Sequence, residues 1–404
     1  MTNIGVVNFS SGELSEEVDA RKDIPKYTGG CRILQNMIPD TFGNAVKRPG
    51  TELIVLGNGA GCYFKPIIPD PAKIGISTIE ELQKIGNDVG FPMSGDYELL
   101  ANIDGAGVTF FPIGVLDVSP FTVSDFTGSL DGNFFTIKNI TFSADMTTNF
   151  SRSVGLFRSI DSFATVENLV ISNMTVIFSG NHGNDAGLLT PFATGATFTQ
   201  IHTQGTVTKG PFGSGGFGVG GFGSGINPNI TRCSADITVV QEGGKIVTFG
   251  GISQFYAGDL MIDCYAVGSV EVTGSPAFGL DRTGGLTGWF GGTSQSITNC
   301  YSAIVMEGDK NTFVGGSLGT GGGGTPVYTS IYWDDDIIPV HDLDDIGDDG
   351  DVAGINKSTT ADMFRQATYV GWDFDTVWEI NEGNDYPKHQ WRRLSDIKAN
   401  CQPL

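Results

Sequence analysis

Cys233, Cys264 and Cys300 recur at intervals of 31 and 36 residues, and Tyr332 follows the last of them by 32. Thiols spaced in this way could hold a metal, pair as disulfides, or stack as small buried hydrophobes. A zinc site needs closely spaced ligand pairs, but the chain has no CxxC, and its histidines are only His182, His202, His341 and His389. Six cysteines in 404 residues do not make a disulfide framework. The pattern predicts an internal ladder of free thiols continued by Tyr332, with no metal and no cofactor.

Carboxylates are the second group that could do chemistry. Asp259, Asp263, Glu271 and Asp281 are candidates for the acid and base of glycoside cleavage, which needs two carboxyl groups roughly 5–10 Å apart. Sequence spacing does not show that separation, and with 45 acidic residues the ordinary reading is surface solubility. Nine aspartates fall between 334 and 351 and invite comparison with a calcium loop. Counted from Asp342, Gly347 takes the glycine position of an EF-hand loop, but Ile346 and Ala353 stand where oxygen ligands are required. The run therefore reads as a solvated acidic loop. There is no nucleophile elbow or phosphate loop, and strings resembling GxGxxG follow from the 59 glycines alone. No catalytic residue is assigned. A polysaccharide hydrolase or lyase stands as the alternative to a non-enzymatic role.

The elements that carry these residues repeat. Glycine steps read AGLL (186–189), GVGGFG (218–223), FGGI (249–252), TGGL (283–286) and VGGS (314–317). Between them lie β-prone runs at 168–176, 201–208, 232–240, 263–272, 299–306 and 330–334. Each unit is too small to bury a hydrophobic face alone, and stacking solves that by pairing each strand with its equivalent in the next coil. The expected fold is all-β: a right-handed parallel β-helix with short capping helices and an extended N-terminal arm. An up-and-down sandwich is the competitor, but its turns would not yield one phrase per unit. Ser77-Thr78-Ile79-Glu80 suggests a capping box, with Ile79, Leu82 and Ile85 as the apolar face of a helix covering the first coil. Thr359 or Thr360 can cap a second helix through 361–367, and Trp372, Phe374, Trp378 and Tyr386 offer aromatics to plug the last coil. The glycine tracts 211–225 and 319–324 read as loops pushed out from the coil. The tail at 392–404 reads as a basic, frayed terminus or a contact for an acidic partner.

Charge and hydropathy exclude several classes. A net charge of −22 and a pI near 4.3 argue against nucleic-acid binding, which needs a basic surface. No apolar run reaches the ~20 residues of a membrane span. The N-terminus lacks the basic start and apolar core of a secretory signal, so folding in the cytoplasm of the producing cell is expected.

Residues 1–56 hold six of the 23 basic residues, have no helical or hairpin period, and read as an arm that orders against a partner. The order FSSGELS, Arg21-x-Asp23, Tyr27-x-x-Gly30, Asn36 and Arg48-Pro49-Gly50-Thr51 resembles the N-terminal signature of tail nozzle or tail-tube proteins of short-tailed bacteriophages. The likeness covers about 45 residues, and the large nozzle body does not follow. It implies docking on a phage tail, with Arg21, Arg32 and Arg48 able to grip carboxylates bidentately. An irregular N-terminal cap is the other reading. Residues 57–75 form a Gly/Pro linker. From 76 to 391, ISTIEELQKIGND, GDYELLANID, FTGSLDGNFFTIKNI, VGLF and the closing STTADMF and WDFDTVWEI resemble GLUG-repeat β-helices. That resemblance implies a β-helix but no single activity. Together the two imply a virion protein attached to tail proteins (nozzle, adaptor or fibre), present in multiple copies or as a homo-oligomer, and meeting a host-surface glycan or another fibre. A bacterial surface adhesin is the remaining alternative.

Overall fold

The computed structural model describes residues 72–114, 124–145, 153–179, 184–209, 217–242, 247–273, 280–291, 295–307, 314–320, 326–338, 343–347 and 350–400. For parts of 12–66 it describes the backbone of short strands alone. The chain divides into two compact units, one of 1–72 with 400–404 and one of 73–399. In the first, where no hairpin was expected, Met37–Pro39 pairs antiparallel with Ala45–Lys47, and Thr51–Val55 with Cys62–Pro66. The second hairpin crosses the boundary expected at 56/57, so the supposed linker is partly strand. Arg21, Asp23, Tyr27, Arg32, Asn36, Arg48, Pro49 and Gly50 lie outside the described residues, and Thr51 is described only as strand backbone.

The second unit is a parallel β-helix built from one sheet of 26 strands. It starts at Ile74–Ile76, two residues before the expected boundary, because that strand pairs in parallel with Asp96–Leu99. A typical coil has three walls. The first is Phe217–Gly220, the second Gly223–Thr231 and the third Ser234–Glu242, each bonded in parallel to its equivalent in the next coil. Equivalent residues consequently stack. One inward ladder runs Tyr97, Leu130, Val166, Phe198, Ile230, Met261, Ile297 and Tyr328. Another runs Phe142, Val176, Val207, Val239, Val270 and Met306, all buried. Each fully buried aliphatic or aromatic rung contributes about 1.5–3 kcal/mol.

The glycine phrase marks the corner between the first and second walls. Gly187, Gly220, Gly250, Gly284 and Gly315 form one column. At the last four, a Cβ would overlap the carbonyl oxygen three residues ahead, that of Gly223, Ser253, Thr287 or Leu318. The glycine tract at 211–225 is not wholly a loop, since from Phe217 onward it supplies wall strands, and Phe222 is in the core. The corner between the second and third walls is a column in the left-handed conformation: Asn168, Gln200, Arg232, Asp263, Asn299 and Ser330, with φ between 50 and 54°. Polar and small side chains suit that region.

Helix α1, Ile79–Lys84, covers the first coil with Ile79, Leu82 and Ile85 buried. Its capping box is displaced by one residue from the sequence reading. Thr78 is the N-cap and accepts from the Glu81 N–H at 3.2 Å, while the Glu81 carboxylate takes the Ser77 N–H at 2.7 Å. Helix α2, Thr360–Met363, is capped by Thr359. No described helix is long and apolar enough to cross a membrane.

The C-terminal segment does not plug the last coil. It turns back as a strap along the left-handed corner, retracing the coils toward the first. Trp372 Nε1 donates to Ser330 O at 3.3 Å, and Tyr301 OH to Pro387 O at 2.7 Å. Farther back, Trp391 Nε1 donates to Arg232 O at 3.2 Å, Lys398 Nζ to Asn133 O, and Asn102 Nδ2 to Lys398 O at 3.0 Å. Residues 392–400 are helix α3, not a frayed tail.

Candidate functional site

The candidate residues named from sequence are scattered. Cys233, Cys264 and Cys300 are stacked, buried and free, with Leu169 and Ile201 before them and Ile331 after. Each thiol donates to the carbonyl two residues earlier, at 3.2–3.3 Å. Burial raises the Cys233 and Cys300 thiols well above their ordinary range, which keeps them as unreactive packing groups. Tyr332 is not in this ladder. The interval from Cys300 is one residue too long, so Tyr332 pairs with Tyr301 and faces outward, where Ile331 faces in. It joins Tyr265 and Tyr301, whose rings are parallel at 5.0 Å. The strap covers this stack with Trp372, Trp378 and Tyr369.

The carboxylates are not brought together as a catalytic pair. Asp263 precedes the strand Tyr265–Thr273 and Glu271 lies near its far end, about 25 Å away at the usual rise. Asp263 is buried beneath the strap, accepts from Asn299 at 3.1 Å and lies 3.9 Å from Arg232. Burial raises its carboxyl, while Asn299, Trp378 and Arg232 oppose that rise. Asp259 is exposed, and the Asp281 side chain lies outside the described residues. The acidic run is only partly solvated. Asp334 accepts from Tyr386 OH at 2.6 Å, and Asp345 accepts from Trp333 Nε1 at 2.7 Å, both buried. Asp342, Asp348 and Asp349 lie outside the described residues.

A groove that the sequence reading did not single out opens on the second wall beside the glycine corner. Its volume is about 470 Å³. Phe192, Gly225, Phe255 and Trp289 occupy one column on successive coils and form its lining. Gly225 has no side chain, so a slot remains between Phe192 and Phe255, whose coils lie about 9–10 Å apart. Phe255 and Trp289 meet edge-on at 5.1 Å, and Trp289 remains 38% exposed. Arg282 stacks on Trp289 at 4.8 Å, and Arg158 on Phe192 at 5.7 Å. The polar wall is Asp185, Ser224 and Gln254. Ser224 Oγ donates to Asp185 Oδ1 at 2.7 Å and lies 3.1 Å from Gln254 Oε1. Burial raises the Asp185 carboxyl, while Ser224 and Arg158 pull it back. Arg158 Nε is buried and has no hydrogen-bond partner among the described residues. Among the described residues of the lining Asp185 is the sole carboxylate. The register that aligns these residues joins four successive coils, which is why spacing alone did not reveal them.

No protein-family model matches the chain. Over 173 residues, 40% of the chain, it is 31% identical to halomucin of Haloquadratum walsbyi, and it spans only 2% of that protein's length. Among solved structures, it is similar to a "putative immunoglobulin A1 protease" from Bacteroides ovatus, with a TM-score of 0.50 and 17% identity, over 80% of this chain and 93% of the other. The likeness is one of fold.

Proposed function

We propose that the chain is a structural virion protein of a short-tailed bacteriophage, docked on the tail through residues 1–56 and displaying the β-helix to the host surface. The observation that carries this reading is the N-terminal order FSSGELS, Arg21-x-Asp23, Tyr27-x-x-Gly30, Asn36 and Arg48-Pro49-Gly50-Thr51, which resembles the docking region of phage tail proteins. The division at 72/73 supports it, because a β-helix that is compact by itself leaves the preceding unit free to specialise in attachment. In this reading the arm orders in a groove between tail subunits and Arg21, Arg32 and Arg48 pair with carboxylates there. Tail symmetry then places several copies on one particle, so weak individual contacts with the host add through avidity.

The test is complementation of phage lacking the protein with the full chain or with a chain lacking residues 1–72, followed by mass spectrometry of purified particles. The truncated chain is expected to keep its β-sheet circular dichroism and to be absent from particles that contain the full chain. Full occupancy by the truncated chain would move docking to the β-helix, and absence of the full chain from particles would end the virion reading.

A further inference from the structure

We propose that the groove formed by Asp185, Phe192, Gly225, Gln254, Phe255 and Trp289 binds a pyranose residue of a glycan chain. The inference deepens the host-surface reading by naming the ligand class and its site. A pyranose presents an apolar face of C–H groups and a rim of hydroxyls. The groove offers the complement of both: ring faces and edges on one side, and a carboxylate, a hydroxyl and an amide on the other. Gly225 matters because it is the missing tooth of an aromatic column. A side chain there would fill the interval between Phe192 and Phe255, the one place where a ring could enter between rings. The cations reinforce the design. Arg158, on the Phe192 ring at the near end of the column, works with the Ser224 hydroxyl against the burial that raises the Asp185 carboxyl. Arg282 stacks on Trp289 and places a guanidinium at the far end of the column.

Other occupants fit less well. An added peptide strand needs unpaired backbone donors, but the floor is already bonded between coils and corners: Gly225 N–H to Pro191 O at 2.9 Å and Gly291 N–H to Tyr256 O at 3.0 Å. An amphipathic helix needs a continuous apolar trough, and here Asp185, Ser224 and Gln254 interrupt it. A polyphosphate or nucleic acid would meet a molecule of net charge −22. The column runs along the solenoid axis, across the strands, so a linear glycan could continue past Trp289 without meeting the strap, which is bonded at the other corner.

The experiment is binding of the full-length chain to a printed array of bacterial oligosaccharides containing neutral hexoses, N-acetylhexosamines and uronic acids. Trp289→Ala, Phe255→Ala and Gly225→Leu are compared with wild type, and the exposed Phe163→Ala serves as control. Wild type and Phe163→Ala are expected to bind the same subset of glycans, and each groove variant to lose at least tenfold in signal with unchanged circular dichroism. No binding by wild type, or binding that survives all three groove substitutions, would overturn the proposal. Because Trp289→Ala should enter particles at wild-type occupancy, failure of this site leaves the docking reading intact. Conversely, a chain that binds glycans but never enters particles would retain the site and lose the virion.

Discussion

At the residue scale, His389 links the strap to pH. Its Nε2 lies 2.8 Å from Asp263 O, which can only accept, so Nε2 carries the proton. Nδ1 is buried with no hydrogen-bond partner among the described residues, and the ring sits against Tyr265, Trp378 and Trp391. Protonating Nδ1 would bury a charge, and burial pushes the imidazole down to about 3. The unfolded chain takes up this proton near pH 6.5, so stability is complete above that pH and falls progressively toward pH 3. Between pH 7 and 5 the loss from His389 is about 2 kcal/mol. His202, also buried and lowered well below its ordinary value, acts in the same sense. The raised carboxyls of Asp185 and Asp263 act in the opposite one. Urea unfolding at the two pH values checks this: His389→Gln is expected to be less stable at pH 7 but to lose less on acidification. An unchanged pH dependence would remove His389 from the account. None of this could be read from the isolated tail sequence, because Asp263 and Tyr265, which meet the His389 ring beside the local Trp378 and Trp391, come from a coil more than a hundred residues earlier.

At the element scale, the glycine corner is the most sequence-legible feature. Its phrase repeats because the same steric demand repeats at each coil. Gly250→Ala would drive a methyl into Ser253 O and the backbone of the next coil, and is expected to cost about 1–3 kcal/mol or more. Gly225→Ala is the matched control. Its Cβ would meet only the Phe192 ring, at 3.4 Å, so a change within about 0.5 kcal/mol is expected. Both are measurable as shifts in urea midpoint, and equal effects would refute the steric account of the corner. The tyrosine column shows the limit of the same kind of reading. A ladder assigned by interval tolerates no error, because a slip of one residue turns a side chain from inside to outside. Tyr332 is the instance: spacing put it inside with the thiols, and pairing put it outside with Tyr301.

At the scale of the whole molecule, the strap changes how a repeat array should unfold. A bare solenoid has mainly nearest-neighbour contacts and can lose coils from its ends one at a time. Here Ser330, Asp263, Arg232, Asn133 and Asn102, on separate coils, are bonded to one continuous segment. End coils therefore cannot leave without detaching the strap. Removing residues 369–404 is expected to expose Tyr265, Tyr301 and Tyr332, increase binding of a hydrophobic dye, and replace one steep urea transition by a broader or stepped one. A truncated chain that unfolds as steeply as the full chain would show that the coils alone are cooperative.

Repetition determined the parallel β-helix, its glycine corners and its buried thiols, and a local capping signal its first helix, because those properties depend on local sterics and on like residues meeting at a regular interval. The strap, the outward tyrosine stack and the aromatic groove were decided only by tertiary structure. Each joins residues whose proximity depends on register between coils or on the return path of the C-terminus. Neither quantity is encoded in spacing along the chain: it is set by which backbone groups pair and by where buried aromatic surface can be covered.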